Sequence, residues 1–448
     1  MGSLKVKSAR LIDRFSQYTS LRDIREASIV KPDPVCGLET MSANMAASSL
    51  VDTLKAIYIP SSSACALIGE LLEIALRHST VSYPSNDAYL RGVYSGEYSD
   101  VFPLCLTGLA GVGKSQLIKA LGRLMPVDGT FDPGPGVSDM AFTSMWEINV
   151  KDKKGIIPML TKFLPPEKQG ENRRKTVDQV LAYCRKKAFR EGVSLFVADE
   201  FQFYTSGEAS AKLAEALLNL STLGMPMLYV ANYSMLKKLL GRPQQDRQRL
   251  LVNPRIVLPD LLSDECWREY VEECVRVSSG SINIEVDAFC ETLHVYTAGI
   301  KRLCILLLGI AYKHARARGA AHIGLHDLKS AYQSAEYAVN KVDVEIICRQ
   351  NITGKSGRAD LWCPLALPQS TALAFTASSE KKRDEVVSEQ LVRSSLTLKE
   401  KNAVKELEGS HVKKSVNSGD VIKLREPRKV PTVESLTASL QRLIERDK

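Results

Sequence analysis

A glycine-rich run, Gly108-Leu109-Ala110-Gly111-Val112-Gly113-Lys114-Ser115, separates an apolar stretch from a helix-forming one. It fits the spacing G-x-x-x-x-G-K-[ST] at every fixed position. Chemistry accounts for the spacing. Gly108, Gly111 and Gly113 let the backbone curl with its N–H groups turned inward, where a Cβ would obstruct a bound anion. The helix that follows aims the positive end of its dipole at the same place. Lys114 is placed to reach the β- and γ-phosphates of ATP, and Ser115 to offer a hydroxyl to Mg²⁺. Val112 and Gln116 belong to the same binding set.

Two acids stand at the end of a second apolar run, Ser194-Leu195-Phe196-Val197-Ala198-Asp199-Glu200. Ligands of open α/β sheets bind at the carboxyl ends of strands, which is where this run puts them. Asp199 would hold Mg²⁺ through water, and Glu200 would act as general base on the attacking water. A third run, Pro226-Met227-Leu228-Tyr229-Val230-Ala231, ends at Asn232. An amide there can hydrogen-bond a γ-phosphate or the attacking water. An asparagine that only caps the next turn is the plainer alternative.

These residues need a scaffold that brings strand ends together. Val101–Leu106, Met145–Val150, Leu195–Ala198 and Met227–Ala231 read as short strands, with helices over Ser115–Leu124 and Val177–Glu191. Such alternation predicts an α/β fold: a parallel sheet with helices on both faces. The extended piece Ile57-Tyr58-Ile59-Pro60 precedes Ser61–Ser63, whose hydroxyls can cap a helix over Ala64–Arg77. From Leu261 to about Val339 the pattern is helical only, over Asp264–Val277, Glu285–Thr297, Ile300–Arg318 and Leu328–Val339. An α/β block followed by a small helical bundle is the layout of AAA+ P-loop ATPases. The predicted divisions are an N-terminal extension over 1–55, weakly ordered over 1–50 and suited to binding a partner, an ATPase core over 56–259, a helical lid over 260–342 and a flexible tail over 343–448. Residues 351–448 hold 18 Lys and Arg against 13 Asp and Glu, with scattered apolar positions. Within them Thr432–Arg446 spaces Val433, Leu436, Leu440, Leu443 and Ile444 along one helical face. Such a stripe suits a segment that folds in a partner's groove.

In an AAA+ layout Asn232 occupies the sensor-1 position. Arg242, Arg247, Arg249 and Arg255 follow it, and an arginine in this region reaches the γ-phosphate held by a neighbouring subunit. Arg249 is the first choice and Arg247 the second. Gly299-Ile300-Lys301-Arg302 opens a lid helix, and Arg302 is the choice for a phosphate contact within the same chain.

The order of these elements resembles the TnsC/TniB-type AAA+ ATPases, regulators of transposons that carry a separate transposase. The resemblance lies in Tyr58-Ile59-Pro60, the glycine-rich loop, Val197-Ala198-Asp199-Glu200-Phe201-Gln202, the run from Asn232 to Pro259 with its segment Gln244–Leu250, and Thr297-Ala298-Gly299-Ile300-Lys301-Arg302-Leu303. It covers about 55–340. Ala-Asn-Tyr follows the third strand where Gly-Thr-Pro is commoner in relatives. The resemblance implies a bacterial cytoplasmic switch. ATP-bound subunits assemble as a ring or filament on double-stranded DNA, link a target-selector protein to a transposase subunit, and disassemble on hydrolysis. Candidate DNA contacts are Lys151, Lys153 and Lys154, and Arg173, Arg174 and Lys175. They would meet phosphates, so binding would be sequence-tolerant and salt-sensitive.

Composition sets the outer bounds. The chain has 448 residues and a net charge of +9, which permits a polyanionic partner without demonstrating one. No apolar run approaches the ~18–20 residues needed to span a bilayer, and Met1–Arg14 has no contiguous apolar stretch, which predicts no secretory leader. The ten cysteines form no Cys-x-x-Cys pair, and His322 and His326 have no third ligand nearby in sequence, so buried thiols and turn histidines are expected. Two rival functions remain at this level: an origin-initiator or clamp-loader-like ATPase, and a signalling NTPase that binds no DNA.

Overall fold

The computed structural model describes residues 6–18, 20–95, 101–134, 136–151, 155–165, 176–204, 210–367 and 369–395. Its strands, in chain order, are β1 (Val6–Ser8), β2 (Leu104–Gly108), β3 (Gly129–Phe131), β4 (Met140–Phe142), β5 (Met145–Asn149), β6 (Leu195–Asp199), β7 (Met227–Ala231) and β8 (Arg255–Val257). Five of them form a wholly parallel sheet in the order β5-β6-β7-β2-β8. β6 and β7 are buried along their whole length, and their side chains alternate between two apolar cores. Phe196, Ala198, Met227, Tyr229 and Ala231 enter one, while Leu195, Val197, Leu228 and Val230 enter the other. Strands buried on both faces carry no polar positions, which is why these runs read as continuous apolar stretches.

Register decides what meets at the sheet's carboxyl edge. Asn149 lies opposite Asp199, Thr107 opposite Ala231 and Gly108 opposite Val257. The ends of β2, β6 and β7 therefore share one edge, and the turns that follow them carry the glycine-rich loop, Glu200 and Asn232. A second sheet, β1-β3-β4, was not foreseen from the sequence. Its strands are three residues each, too short for periodicity to register.

The lid is built from helices Glu265–Val277, Val286–Thr297, Lys301–Ala317 and Leu325–Gln333 around Trp267, Phe289, Leu307 and Tyr312. The single helix expected over Leu328–Val339 is two, Leu325–Gln333 and Ala338–Thr353. Between them Tyr337 is buried, and its hydroxyl donates to Tyr296 O at 3.2 Å. Among the described residues no single helix is long and apolar enough to cross a membrane.

Both ends of the chain depart from expectation. The weak order expected over the first fifty residues is not what the structure has. Helix Leu21–Ser28 packs on helices Ser62–Ser82 and Lys114–Leu124, and helix Ala43–Ala56 packs on Lys301–Ala317. Leu50 and Leu54 are 0% exposed and share the lid's core. Ala43–Ala56 has few large apolar side chains, and its partner helix lies some 250 residues away in sequence, so local pattern underrates it. Arg14 is also buried, donating to the hydroxyls of Ser79 and Ser194.

The flexible tail expected from 343 begins too early. Helix Ala338–Thr353 runs through that boundary with Val344 and Ile347 buried. Gln350 then organises the next turn: its Oε1 accepts from Gly357 N at 2.6 Å and Arg358 N at 2.8 Å, and its Nε2 donates to Leu361 O at 3.2 Å. The turn delivers Leu361, Cys363 and Leu365 onto the core beneath the sheet. Composition cannot show one side chain satisfying three backbone groups. Residues 1–389 form one compact unit, and of the remainder only 390–395 are described, so the predicted helix Thr432–Arg446 lies outside the described residues.

If the N-terminal helix belongs to the lid core, Leu54→Ala should destabilise the protein by about 2–5 kcal/mol, as for other buried leucines. A Cβ on Gly309 would sit 2.5 Å from Val51 Cγ2, so Gly309→Val should also lower stability. Urea midpoints equal to the parent's in both variants would return residues 43–56 to the status of a loose extension.

Candidate functional site

The glycine-rich loop lies between β2 and helix Lys114–Leu124. Gly111 and Gly113 have φ of 83° and 111°, conformations that side chains rarely adopt. Space excludes a side chain at Gly111 as well, because a Cβ there would lie 2.8 Å from Arg302 Cβ. Arg302 N also approaches Gly111 O at 3.4 Å. The first turn of the lid helix thus touches the loop, and a cavity of about 1220 Å³ opens beside that contact.

The cavity is lined by Gly111, Val112, Gly113, Lys114, Ser115 and Gln116 from the loop, and by Glu200, Asn232 and Arg302. The first turns of helices Lys114–Leu124 and Lys301–Ala317 both line it, which suits an anion. Ile57-Tyr58-Ile59-Pro60 and Ile305 add an apolar wall.

Lys114 Nζ donates to Gly108 O at 2.8 Å and to Leu109 O at 2.7 Å. Burial lowers its pKa to about 8, against the opposing pull of the Glu200 charge. Asp199 is buried at the end of β6, and its Oδ1 accepts from Glu200 N at 2.8 Å. Glu200 Oε2 in turn accepts from Gln202 Nε2. Asn232 does cap the next helix, its Oδ1 accepting from Met235 N at 2.9 Å. That bond uses the amide oxygen, so capping and donation by the amide nitrogen are compatible.

For a divalent cation, the structure supplies a hydroxyl from Ser115 and a carboxylate from Asp199. Both are hard oxygen donors, and Mg²⁺ sites take few protein ligands and keep several waters, so the residues fit. Among the described residues no three His, Cys, Asp or Glu side chains gather into a metal cluster. All ten cysteines are free, seven of them buried.

The four arginines after Asn232 separate into two kinds. Arg242 pairs with Asp246 at 2.8 Å and Arg255 with Glu70, both within the chain. Arg247 and Arg249 are exposed on helix Gln244–Leu250 and do not line the cavity. Lys151 is exposed just beyond β5, its N donating to Asn149 Oδ1 at 3.0 Å. Lys153, Lys154, Arg173, Arg174 and Lys175 lie outside the described residues.

Sequence reasoning missed Lys301 as a site residue. Its Nζ donates to Ile59 O at 2.8 Å, pairs with Asp260 at 3.0 Å and lies over the Tyr270 ring. Asp260 also accepts His294 Nε2 at its backbone oxygen, 3.0 Å away. Burial lowers the His294 pKa, which favours the neutral ring. The only signal was a lysine beside Arg302 at a helix start.

A five-stranded parallel sheet in this order, with a phosphate-type loop after β2, between β7 and the edge strand β8, and a helical lid over the same cavity, is the AAA+ type of α/β P-loop fold. No protein-family model matches the chain, and no curated protein matches it. Among solved structures it is similar to the Aeropyrum pernix ORC2 protein (ADPNP–ADP complexes), at 14% identity over 66% of this chain and 84% of that chain, TM-score 0.38. It is similar to the Aeropyrum pernix ORC1 protein in complex with DNA, at 13% identity over 70% and 82%, TM-score 0.36. Domain III of the Thermotoga maritima replication initiation protein DnaA matches at 14% over 55% and 88%, TM-score 0.32. These likenesses are low, and the fold assignment rests on this chain's own strand order and loop.

The lowered Lys114 pKa has a sign that can be tested. An ordinary lysine, at 10.5, stays charged well into alkaline solution, whereas Lys114 loses its proton as pH rises through about 8. Affinity for a fluorescent nucleoside triphosphate should therefore fall above pH 8, because binding must then take up a proton. Lys114→Arg, always charged, should remove that alkaline decline. A parent affinity that is level across pH 8 would contradict the burial of this ammonium.

Proposed function

We propose that this chain is an ATP-hydrolysing AAA+ switch that assembles on duplex DNA and regulates transposition. The observation that carries the ATPase part is the convergence of Lys114, Ser115, Glu200, Asn232 and Arg302 on one cavity. The loop's N–H groups and Lys114 bind the phosphates, and Arg302 adds a second cation from the lid. Mg²⁺, when bound between Ser115 and Asp199, would neutralise phosphate charge. Glu200 takes a proton from the attacking water, and Asn232 orients that water or the γ-phosphate through its amide nitrogen.

Assembly supplies the missing piece. Arg247 and Arg249 are exposed and do not line the chain's own cavity, as would be so for a residue acting on a neighbour's nucleotide. The DNA and transposition parts of the reading rest on the resemblance to TnsC/TniB-type ATPases and on the net positive charge. The partners it names are double-stranded DNA, further copies of the chain, a target-selector protein and a transposase subunit. ATP binding favours the assembly, and hydrolysis dismantles it.

Glu200→Gln should retain nucleotide binding while hydrolysis falls roughly 10²–10⁴-fold, the usual worth of a general base. Lys114→Ala should lose binding. Mixing Lys114→Ala with Arg249→Ala subunits should restore part of the activity, since one class of interface unites two intact halves. Full turnover in Glu200→Gln would remove the base assignment, and no rescue at any ratio would pass the trans role to Arg247. ATP-dependent, salt-weakened binding to unrelated duplexes in an anisotropy assay separates the DNA-bound switch from a signalling NTPase. A chain ending at Ser395 that keeps DNA-stimulated hydrolysis but no longer retains a transposase would assign the remaining residues to docking; undiminished capture would end that assignment.

A further inference from the structure

A second cavity, of about 470 Å³, lies where the ATPase core, the lid and the C-terminal helices meet. That volume falls within the range usual for a small-molecule site. Leu109 comes to it from the core, Val295 from helix Val286–Thr297, Ile347 from helix Ala338–Thr353 and Phe375 from helix Gln369–Ser395. Gly354 and Ala372 line it as well and are exposed, so the cavity opens to solvent.

One charge stands in this mostly apolar wall. Lys382 lines the cavity and is 7% exposed. Its Nζ is buried and, among the described residues, has no hydrogen-bond partner. The Tyr332 ring centroid lies 5.6 Å away. The Cys348 thiol beside it stays protonated, because burial raises its pKa. Glu345 attracts the ammonium and Lys341 repels it without either pairing with it, and burial lowers its pKa. A buried ammonium is costly until a counter-charge reaches it. The flexible four-carbon stem lets the charge turn toward the cavity that the residue lines. His294, on the same wall, adds no second charge, since burial favours its neutral ring. An apolar body with a single negative end is the ligand that such a wall complements.

The cavity also borders the glycine-rich loop. Leu258 lines both cavities. Leu109 lines the second one while its carbonyl oxygen accepts from Lys114 Nζ at 2.7 Å. A ligand held here packs against the residue that positions the phosphate-binding lysine.

We propose that this cavity binds an amphipathic monocarboxylate, with the carboxylate toward Lys382, and that its occupancy shifts affinity at the nucleotide cavity. The second half rests on the reading of Lys114 and its loop as an ATP site; the first half does not.

The test titrates decanoate, and decanol as its uncharged counterpart, into the full chain. Trp362 lines the cavity, so its emission is the readout. Trp362→Phe identifies the signal, and Lys114→Ala should keep it if binding is not at the nucleotide cavity. Decanoate should bind about tenfold tighter than decanol, the scale of one charge-assisted contact. Lys382→Met should remove that difference and leave decanol affinity unchanged. Methionine in place of an unpaired buried charge should fold at least as well as the parent, and the comparison of the two probes in the parent needs no variant. Saturating decanoate should change affinity for a fluorescent nucleoside triphosphate, and the triphosphate should change decanoate affinity by the same factor. Decanol binding as tightly as decanoate, no Trp362 response, or a preference that survives in Lys382→Met overturns the site. Triphosphate affinity that decanoate leaves unchanged overturns the coupling. If the parent binds no triphosphate at all, the nucleotide reading and the coupling fall together, while the preference for decanoate still decides the site.

Discussion

Positive charge concentrated around one cavity is the constraint on which the rest of the structure depends. Lys114, Lys301 and Arg302 all line it, together with the starts of two helices. Buried cations are costly unless something answers their charge. Here each is answered differently. Lys114 turns back on two loop carbonyls, Lys301 takes Asp260, and Arg302 remains at the surface against Gly111. The two contacts that Lys114 makes are neutral acceptors, weaker partners for an ammonium than a phosphate would be. An incoming polyphosphate therefore has something to gain from Lys114 without dissolving an ion pair.

The Lys301 pair does a different job. Asp260 accepts His294 at its backbone oxygen and Lys301 at its carboxylate, while Lys301 also holds Ile59 O. One buried knot thus joins two lid helices, the segment after β8 and the wall formed by Ile57–Pro60. Breaking a buried pair by moving one partner away is expensive. The lid is for that reason tied to a wall of the same cavity.

The gathering of these residues at the sheet edge was legible in the sequence because each piece is local. A loop that must curl needs glycines at fixed spacing, and strands buried on both faces leave apolar runs that end at the acids and at Asn232. What was not legible is non-local. The capping bond of Asn232 followed from its position, but the partners of Lys301, Gln202 and Gln350 are set by turns whose shape depends on buried anchors such as Phe201. Helix Ala43–Ala56 was read as a loose extension because its burial comes from Leu307, Trp267 and their neighbours in the lid, which no window of sequence contains. The tail boundary failed for the converse reason: a polar composition conceals three apolar residues, Leu361, Cys363 and Leu365, that one glutamine brings to the core.

The N-terminal helix changes how the lid must be thought of. Gly309 permits helix Lys301–Ala317 to approach Val51 closely, and Leu50 and Leu54 are buried in the lid's own core. Helix Ala43–Ala56 then runs directly into Ile57-Tyr58-Ile59-Pro60 at the cavity wall. Tyr58 pairs with Val30 through two backbone hydrogen bonds of 2.9 and 3.0 Å, so the strap before the helix is fastened to the same wall. A lid that swung about Gly299 alone would have to tear this helix from its core or carry it along. Keeping the two together leaves the apolar surface buried. By packing, helix Ala43–Ala56 therefore belongs with the lid, and Ile57–Pro60 joins that unit to the cavity wall.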